Sequence, residues 1–233
     1  MKRVLSRVVL ASGMLLGMAA VSPSFAADAA AGPVKPDLAK GQQLFEQGDA
    51  ARGIVPCVSC HGPGGNSTIP TNPNLAGQAH EYIYKQLNDF RQKEGASGAA
   101  RKGPDGAPSV MSAMVIPLTD ADMRNVAGYI SQQKLTAPAT ATNENLALAG
   151  QKIWRAGLPE RNVPACAGCH SPNGAGIPAQ YPRLGGQFPT YIEDQLKLFR
   201  AGHRANGPMM LQIADRMSDR DIKAVSDYAA GLR

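Results

Sequence analysis

The chain has 233 residues, 43% hydrophobic and 5% aromatic, with a formal charge of +6. Lys2, Arg3 and Arg7 stand apart at the start, so residues 27–233 carry only +3, from 21 basic and 18 acidic side chains. No basic run with interleaved aromatics occurs, which argues against a nucleic-acid-binding surface. The length allows one large domain or two small ones, and so few aromatics leave apolar volume for something other than side chains to fill.

The three basic residues open a secretory signal peptide. An uncharged apolar run follows over 8–21, then Ser24-Phe25-Ala26 as a small-x-small cleavage site. The run has 14 residues, short of the roughly 20 that span a bilayer. Cleavage after Ala26, or one residue later, and export to the periplasm are expected. Residues 27–37 are rich in Ala, Gly and Pro and read as a loose leader. Residues 38–48 read as a short helix with Leu44 and Phe45 on one face. Cys57-Val58-Ser59-Cys60-His61 comes next, then a Gly/Pro/Asn loop over 62–74. Tyr82, Ile83, Gln86, Leu87 and Phe90 recur at helical spacing and predict a helix over 79–93. A Gly/Pro/Ser-rich loop covers 95–109. Thr119 or Asp120 can cap a last helix whose apolar stripe is Met123, Val126, Ala127 and Ile130. Residues 135–145 read as a linker.

After the linker the sequence begins again. At an offset of 109, Gly41 matches Gly150, Phe45 matches Trp154, and Cys57, Cys60 and His61 match Cys166, Cys169 and His170. Leu75, Gln78, Tyr82, Gln86, Leu87, Phe90 and Arg91 match Leu184, Gln187, Tyr191, Gln195, Leu196, Phe199 and Arg200. The offset then falls to 99, because the second loop is ten residues shorter, and Leu118 and Tyr129 match Met217 and Tyr228. The expected organisation is a duplication: signal peptide 1–26, first domain 27–134, linker 135–145, second domain 146–233. No useful strand-like alternation appears, so the fold class is all-α.

C-x-x-C-H is the attachment signature of c-type haem. Two thiols three positions apart each form a thioether to one porphyrin vinyl group, and the next residue, histidine, ligates the iron. A zinc ribbon is the competing reading, but its knuckles stand about 15–20 residues apart, whereas Cys60 and Cys166 are 106 apart. A catalytic dithiol does not require a following histidine twice over. All four cysteines lie in the two motifs, so attachment of two haem c groups leaves none for a disulfide. His61 and His170 are the proximal iron ligands.

What faces the iron from the other side decides the chemistry. If both halves use the same ligand, it occurs in register, and among the methionines only Met111 and Met210 do so at the 99 offset. They are the expected distal ligands, with neighbouring Met114 and Met209 as fallbacks. Met114, Met123 and Met217 otherwise read as core filler. His80 and His203 have no histidine counterpart and read as solvated residues. Pro73 and Pro182 lie twelve residues after their histidines, in loops able to return to the imidazoles and orient them.

The order C-x-x-C-H, Pro-x-Leu, and Met before a final helix with Tyr resembles class I cytochrome c. Two such units behind a signal peptide look like cytochrome c4, over about 39–232. Asn74-Leu75-Ala76-Gly77-Gln78 and Met111 ahead of Pro117-Leu118-Thr119-Asp120 are particularly similar. The resemblance implies three to five helices wrapped around each haem, and first and last helices crossing at Gly41–Tyr129 and Gly150–Tyr228. It also implies that the Pro73 and Pro182 carbonyls accept from the proximal histidines, and that the haem propionates meet across a pseudo-twofold axis. Its functional implication is a periplasmic electron carrier, not an enzyme. The partners would be redox proteins, with a membrane cytochrome complex as donor, a terminal oxidase as acceptor and transient contact with the membrane surface. The long loop over 94–109 departs from the pattern. Two other readings stay open. One is the haem subunit of a periplasmic dehydrogenase complex. The other is a di-haem peroxidase, which needs an open iron and a distal acid–base residue that the repeat does not supply.

Overall fold

Helix α1 (Leu38–Gln47) starts where the Asp37 carboxylate accepts from the Lys40 backbone N–H, satisfying one of the free donors of a first turn. In this computed structural model residues 35–233 are described; the expected signal peptide and the leader up to residue 34 lie outside them. The rest of the leader is not loose. The Asp37 backbone N–H donates to Asn125 Oδ1 at 2.8 Å, and Pro36 lies over Gly128.

Among the described residues, five α-helices follow one another in each half. The first half holds α1, α2 (Val58–His61), α3 (His80–Asp89), α4 (Val110–Val115) and α5 (Asp120–Ser131). The second holds α6 (Glu144–Ala156), α7 (Ala167–His170), α8 (Pro189–Arg200), α9 (Pro208–Asp215) and α10 (Asp219–Ala230). Among the described residues β pairing is confined to isolated bridges, in keeping with the all-α expectation.

The first and last helices of each half cross at a glycine. A Cβ on Gly41 would run into the Asn125 carbonyl and lie 3.0 Å from Tyr129 Cβ. One on Gly150 would meet the Ala224 carbonyl and lie 2.7 Å from Tyr228 Cβ. Only a residue without a side chain lets the backbones approach this far. The aromatic residue four positions on fills the adjoining space: Phe45 stands 5.7 Å from the Tyr129 ring, and Trp154 stands 6.3 Å from Tyr228.

The last helix of each half is capped in the same way. Thr119 and Asp122 form a capping box at α5, and Ser218 and Asp221 form one at α10. Thr119, not Asp120, is therefore the cap. Each capping aspartate also binds an arginine from the turn before the cysteines, Arg52 to Asp122 at 2.8 Å and Arg161 to Asp221 at 2.7 Å. These pairs pin the turn ahead of each motif to the start of the last helix.

Two cores result. Leu44, Phe45, Ile54, Ile83, Val115, Met123, Val126 and Ile130 fill the first; Ile153, Trp154, Val163, Ile192, Leu196, Ala214, Met217 and Ile222 fill the second. Met123 and Met217 are core residues as expected, but Met114 is 37% exposed and is not. Helix α3 ends at Asp89, short of the expected 93. The long loop folds back there, and the Arg101 backbone N–H takes the Asp89 carbonyl at 3.1 Å. The linker is also held throughout. Asn66 bonds the Lys134 carbonyl and the Thr136 N–H, Ala139 donates to the Gly186 carbonyl, and buried Asp227 accepts from Thr142 and Asn143.

Gly150→Ala should destabilise the protein by about 3 kcal/mol, since a rigid backbone carbonyl cannot move aside. Chemical denaturation checks this, with surface-placed Gly168→Ala, which meets nothing, close to neutral. The Asp221 pair should carry a pH signature. Burial pushes this carboxyl up, but the Arg161 and Ser218 hydrogen bonds outweigh it and hold it down at about 2. An unfolded aspartate titrates near 4. The pair therefore stabilises fully above about pH 4, and its contribution of about 2 kcal/mol is lost as the pH falls toward 2. Unfolding free energies of Arg161→Ala should trail the parent by part of that amount at neutral pH, the Ser218 bonds keeping the rest, and converge with it in acid.

Candidate haem sites and the seam between the halves

Each C-x-x-C-H motif is one helical turn. The His61 N–H bonds the Cys57 carbonyl at 3.0 Å and the His170 N–H bonds the Cys166 carbonyl at 2.9 Å. Residues three apart on a turn share a face, so both thiols of a motif point the same way and the histidine follows one step round. Gly62 ends the first turn at φ 71°, while Ser171 adopts φ 69° at the matching place in the second. The serine is held there by its hydroxyl, which donates to the Gly176 carbonyl at 2.8 Å. All four cysteines are unpaired. Burial pushes the Cys57 and Cys166 thiols up to about 11, so before attachment they are protonated in an apolar setting.

His61 and His170 are both buried. The His61 Nδ1–H donates to the Pro73 carbonyl at 3.0 Å, and the His170 Nδ1–H to the Pro182 carbonyl at 3.1 Å. Burial lowers both imidazoles below their ordinary value, against the pull of those carbonyls. At His170 the Arg204 charge lowers it further. Each ring is thus neutral with its proton on Nδ1, which leaves the Nε2 lone pair for a metal. Trp154 and Tyr181 flank the His170 ring at 6.3 and 5.8 Å.

The methionines separate by burial. Met111 on the first turn of α4 and Met210 on the first turn of α9 each pack against the core of their own half, whereas Met114 and Met209 are 37% and 53% exposed. Ser109 caps α4 and accepts from the Met111 N–H. Neither α4 nor α9 was expected from sequence. His203 is not simply solvated: its Nδ1 accepts from the Gly106 N–H at 3.1 Å, joining the long first loop to the second half. His80 keeps a buried Nε2 without a protein partner.

No cluster of three or more His, Cys, Asp or Glu occurs among the described residues, so the two C-x-x-C pairs do not meet as zinc knuckles would. A turn presenting two thiols, a neutral buried imidazole and a partly buried thioether in the same half is the donor set that a covalent haem requires.

The two halves meet along a dyad-like seam. Gln187 accepts from the Asn74 N–H and donates to its carbonyl, both at 2.9 Å. Gln78 does the same to Arg183, at 2.9 and 3.1 Å. The two glutamines are equivalent in the repeat, so each half clamps the backbone of the other. A second seam element lies in the loops: Lys102 donates to the His203 carbonyl and Ala205 to the Ala100 carbonyl, both at 2.8 Å. Arg101 and Arg204 face each other across this ladder, and both are buried. Sequence reading matched the glutamines but gave them no role. It missed the arginines because the loop insertion puts them outside either offset.

The fold and these sites define a tandem c-type cytochrome, and the chain matches the cytochrome c family over residues 38–134 and again over 147–232. It is 42% identical to cytochrome c4 of Azotobacter vinelandii over 192 residues, 79% of this chain and 90% of that protein. The crystal structure of reduced recombinant cytochrome c4 from Pseudomonas stutzeri, 37% identical, covers 85% of this chain and 100% of its own, with a TM-score of 0.71. A protein described as thiosulfate dehydrogenase electron acceptor, from Stutzerimonas stutzeri strain A1501, is 34% identical over 94% of both chains. The chain belongs to the cytochrome c4 family of di-haem electron carriers.

Two haem c groups are held covalently, through Cys57 and Cys60 in one half and Cys166 and Cys169 in the other. The intact mass of the purified protein should exceed that of the polypeptide by two haems. Acid-acetone treatment should release none.

Proposed function

We propose that this chain is an exported carrier that moves single electrons between respiratory partners, with His61 and Met111 as the axial pair of one iron and His170 and Met210 as that of the other. The observation that carries the reading is the matched placement of Met111 and Met210. Each lies on the first turn of a short helix packed on its own core, nine residues before the capped last helix begins. When bound, haem supplies a one-electron ferric/ferrous couple. The Pro73 and Pro182 carbonyls hold the imidazoles in one tautomer and one orientation. A neutral thioether favours the ferrous state and raises the potential, and filling the sixth position leaves no site for substrate. Val110 and Ile116, strongly exposed on either side of Met111, offer an apolar surface for brief contact with a partner.

The rest of this reading is organisation and address. A signal peptide at 1–26 sends the chain to the periplasm, with a first domain at 27–134, a linker at 135–145 and a second domain at 146–233. A membrane cytochrome complex is the donor and a terminal oxidase the acceptor, with transient membrane-surface contact. A second reading has a specific observation behind it: the likeness, over nearly the full length, to a protein described as the electron acceptor of thiosulfate dehydrogenase. In that case a periplasmic dehydrogenase is the donor, and the haem chemistry is unchanged. Stopped-flow mixing with each reduced donor distinguishes them, the physiological one reducing the protein far faster at equal concentration.

Met111→Ala and Met210→Ala should each remove one of two contributions to the weak near-infrared band of methionine-ligated ferric haem. Each should also lower the potential of its own haem. An intact band in Met111→Ala, with loss in Met114→Ala, would reassign the first ligand.

A further inference from the structure

The duplication makes residues 72 and 181 equivalent, yet they hold different side chains and make different contacts. Both address the second cysteine of their motif. Asn72 donates its side-chain amide to the Cys60 backbone carbonyl at 3.0 Å. Tyr181 instead brings its hydroxyl to the Cys169 side chain, and that hydrogen bond is the first cause pushing the hydroxyl above its ordinary value. The Tyr181 ring stands edge-on to the His170 imidazole, with centroids 5.8 Å apart and planes at 65°. Trp154 lies near the same imidazole at 6.3 Å, fixed by its indole N–H, which donates to the Pro172 carbonyl at 3.2 Å. Among the described residues no such ring pair involves His61.

The loop after the second motif is shaped to hold this tyrosine. Ile177 and Tyr181 exchange backbone hydrogen bonds, the Ile177 N–H to the Tyr181 carbonyl at 3.0 Å and the Tyr181 N–H to the Ile177 carbonyl at 2.8 Å. Ala179 turns the chain between them at φ 65°. This small hairpin is anchored on the motif itself, because the Gly176 N–H donates to the His170 carbonyl at 2.9 Å. A Cβ at Gly176 would lie 2.5 Å from the Tyr181 carbonyl oxygen, so the close approach depends on glycine. In the first loop Asn72 sits in a simple turn, its N–H donating to the Ile69 carbonyl at 2.9 Å. Tyr181 is only half-buried. Its place beside the histidine and the cysteine is therefore set by backbone bonds and not by the core.

We propose that Tyr181 is a positioning residue for the second haem alone: its ring braces the His170 imidazole, and its hydroxyl donates to the Cys169 sulfur and raises the potential of that iron. The inference rests on His170 as ligand of the second iron and deepens that reading. Once the Cys169 sulfur is a thioether it carries no hydrogen, so the hydroxyl is the only possible donor of the pair. Donation sets the positive end of the O–H dipole toward the edge where the sulfur joins the macrocycle. The ferric form carries one positive charge more than the ferrous form, so this dipole disfavours it. Hydrogen bonding around a haem is one of the levers on its potential. The ring acts on orientation. The Pro182 carbonyl holds the imidazole at Nδ1 only, and a ring against its side stops it swivelling about that bond. Asn72, bonded to a backbone carbonyl, does neither for the first haem.

Potentiometric titration and ferric electron paramagnetic resonance of the holoprotein test this. Tyr181→Phe keeps the ring and removes the hydroxyl. It should lower the reduction constant of one haem about threefold, which is about 28 mV at about 59 mV per tenfold for a one-electron couple. The other haem and both resonance signals should not move. Tyr181→Leu removes ring and hydroxyl together. It should lower the same potential and also shift or broaden one of the two ferric signals, which report the orientation of the axial imidazole. Asn72→Ala should leave both potentials at the parent values. A parent-like potential in Tyr181→Phe overturns the role of the hydroxyl. A parent-like signal in Tyr181→Leu overturns the brace. Movement of both haems in Tyr181→Phe overturns the confinement to one. A fall in Asn72→Ala as large as that in Tyr181→Phe means that any loosening of these loops lowers a potential, and overturns the assignment to the hydroxyl. If Tyr181→Leu fails to fold, Tyr181→Asn, which installs the side chain of the first half, replaces it. The near-infrared methionine band should persist in all of these variants, so failure here is distinct from failure of the axial assignment, which shows in Met111→Ala and Met210→Ala.

Discussion

The close crossing of first and last helices is the constraint on which the rest of each half depends. Gly41 and Gly150 let backbone meet backbone, and an aromatic one turn later, Phe45 or Trp154, wedges into the angle beside Tyr129 or Tyr228. That crossing brings the turn before each C-x-x-C-H motif against the start of the last helix, where Arg52–Asp122 and Arg161–Asp221 hold it. With those ends fixed, the chain between them has to travel around the core on which the C-x-x-C-H turn and the short helix before the last one both pack. The aromatic content is low because few side chains are asked to fill that space.

Duplication gives the molecule a built-in comparison. What recurs in both halves is the crossing glycine, the two thiols, the imidazole bonded to a proline carbonyl, and a methionine on the first turn of a short helix. What differs is mostly in the loops. Ten additional residues in the first half carry Arg101 out to the seam and wrap Gly106 against His203. The second half reaches the same place with a short turn at Arg204. The two haem surroundings are consequently related but not identical, and burial, hydrogen bonding and local charge all bear on a haem potential.

The seam is polar where many domain contacts are apolar. Reciprocal glutamine clamps bond both backbone groups of their partner residue, so nothing is left unsatisfied on burial. The linker is likewise tied down at Asn66, Gly186 and Asp227 instead of acting as a free tether. The described residues form one unit in which the halves hold a defined mutual arrangement, a condition for reproducible exchange between two prosthetic groups.

Sequence alone determined the covalent chemistry. Thiol and imidazole spacing along five residues is a local property, and one turn of helix converts it directly into geometry. It also determined the duplication, the helical stripes and, through the 99-residue offset, which methionines correspond. Tertiary structure decided what depends on distant residues meeting. The helices carrying Met111 and Met210 are short, and their stability comes from packing, with the Ser109 cap at α4, more than from any pattern along the chain. Helix α3 stops at Asp89 although its apolar stripe continues to Phe90, and a loop twelve residues away returns to bond that last carbonyl. Met114 proved exposed because its face of α4 turns away from the core. The arginine cluster was invisible in the linear sequence, because an insertion shifted one member out of register and only folding brings the two together.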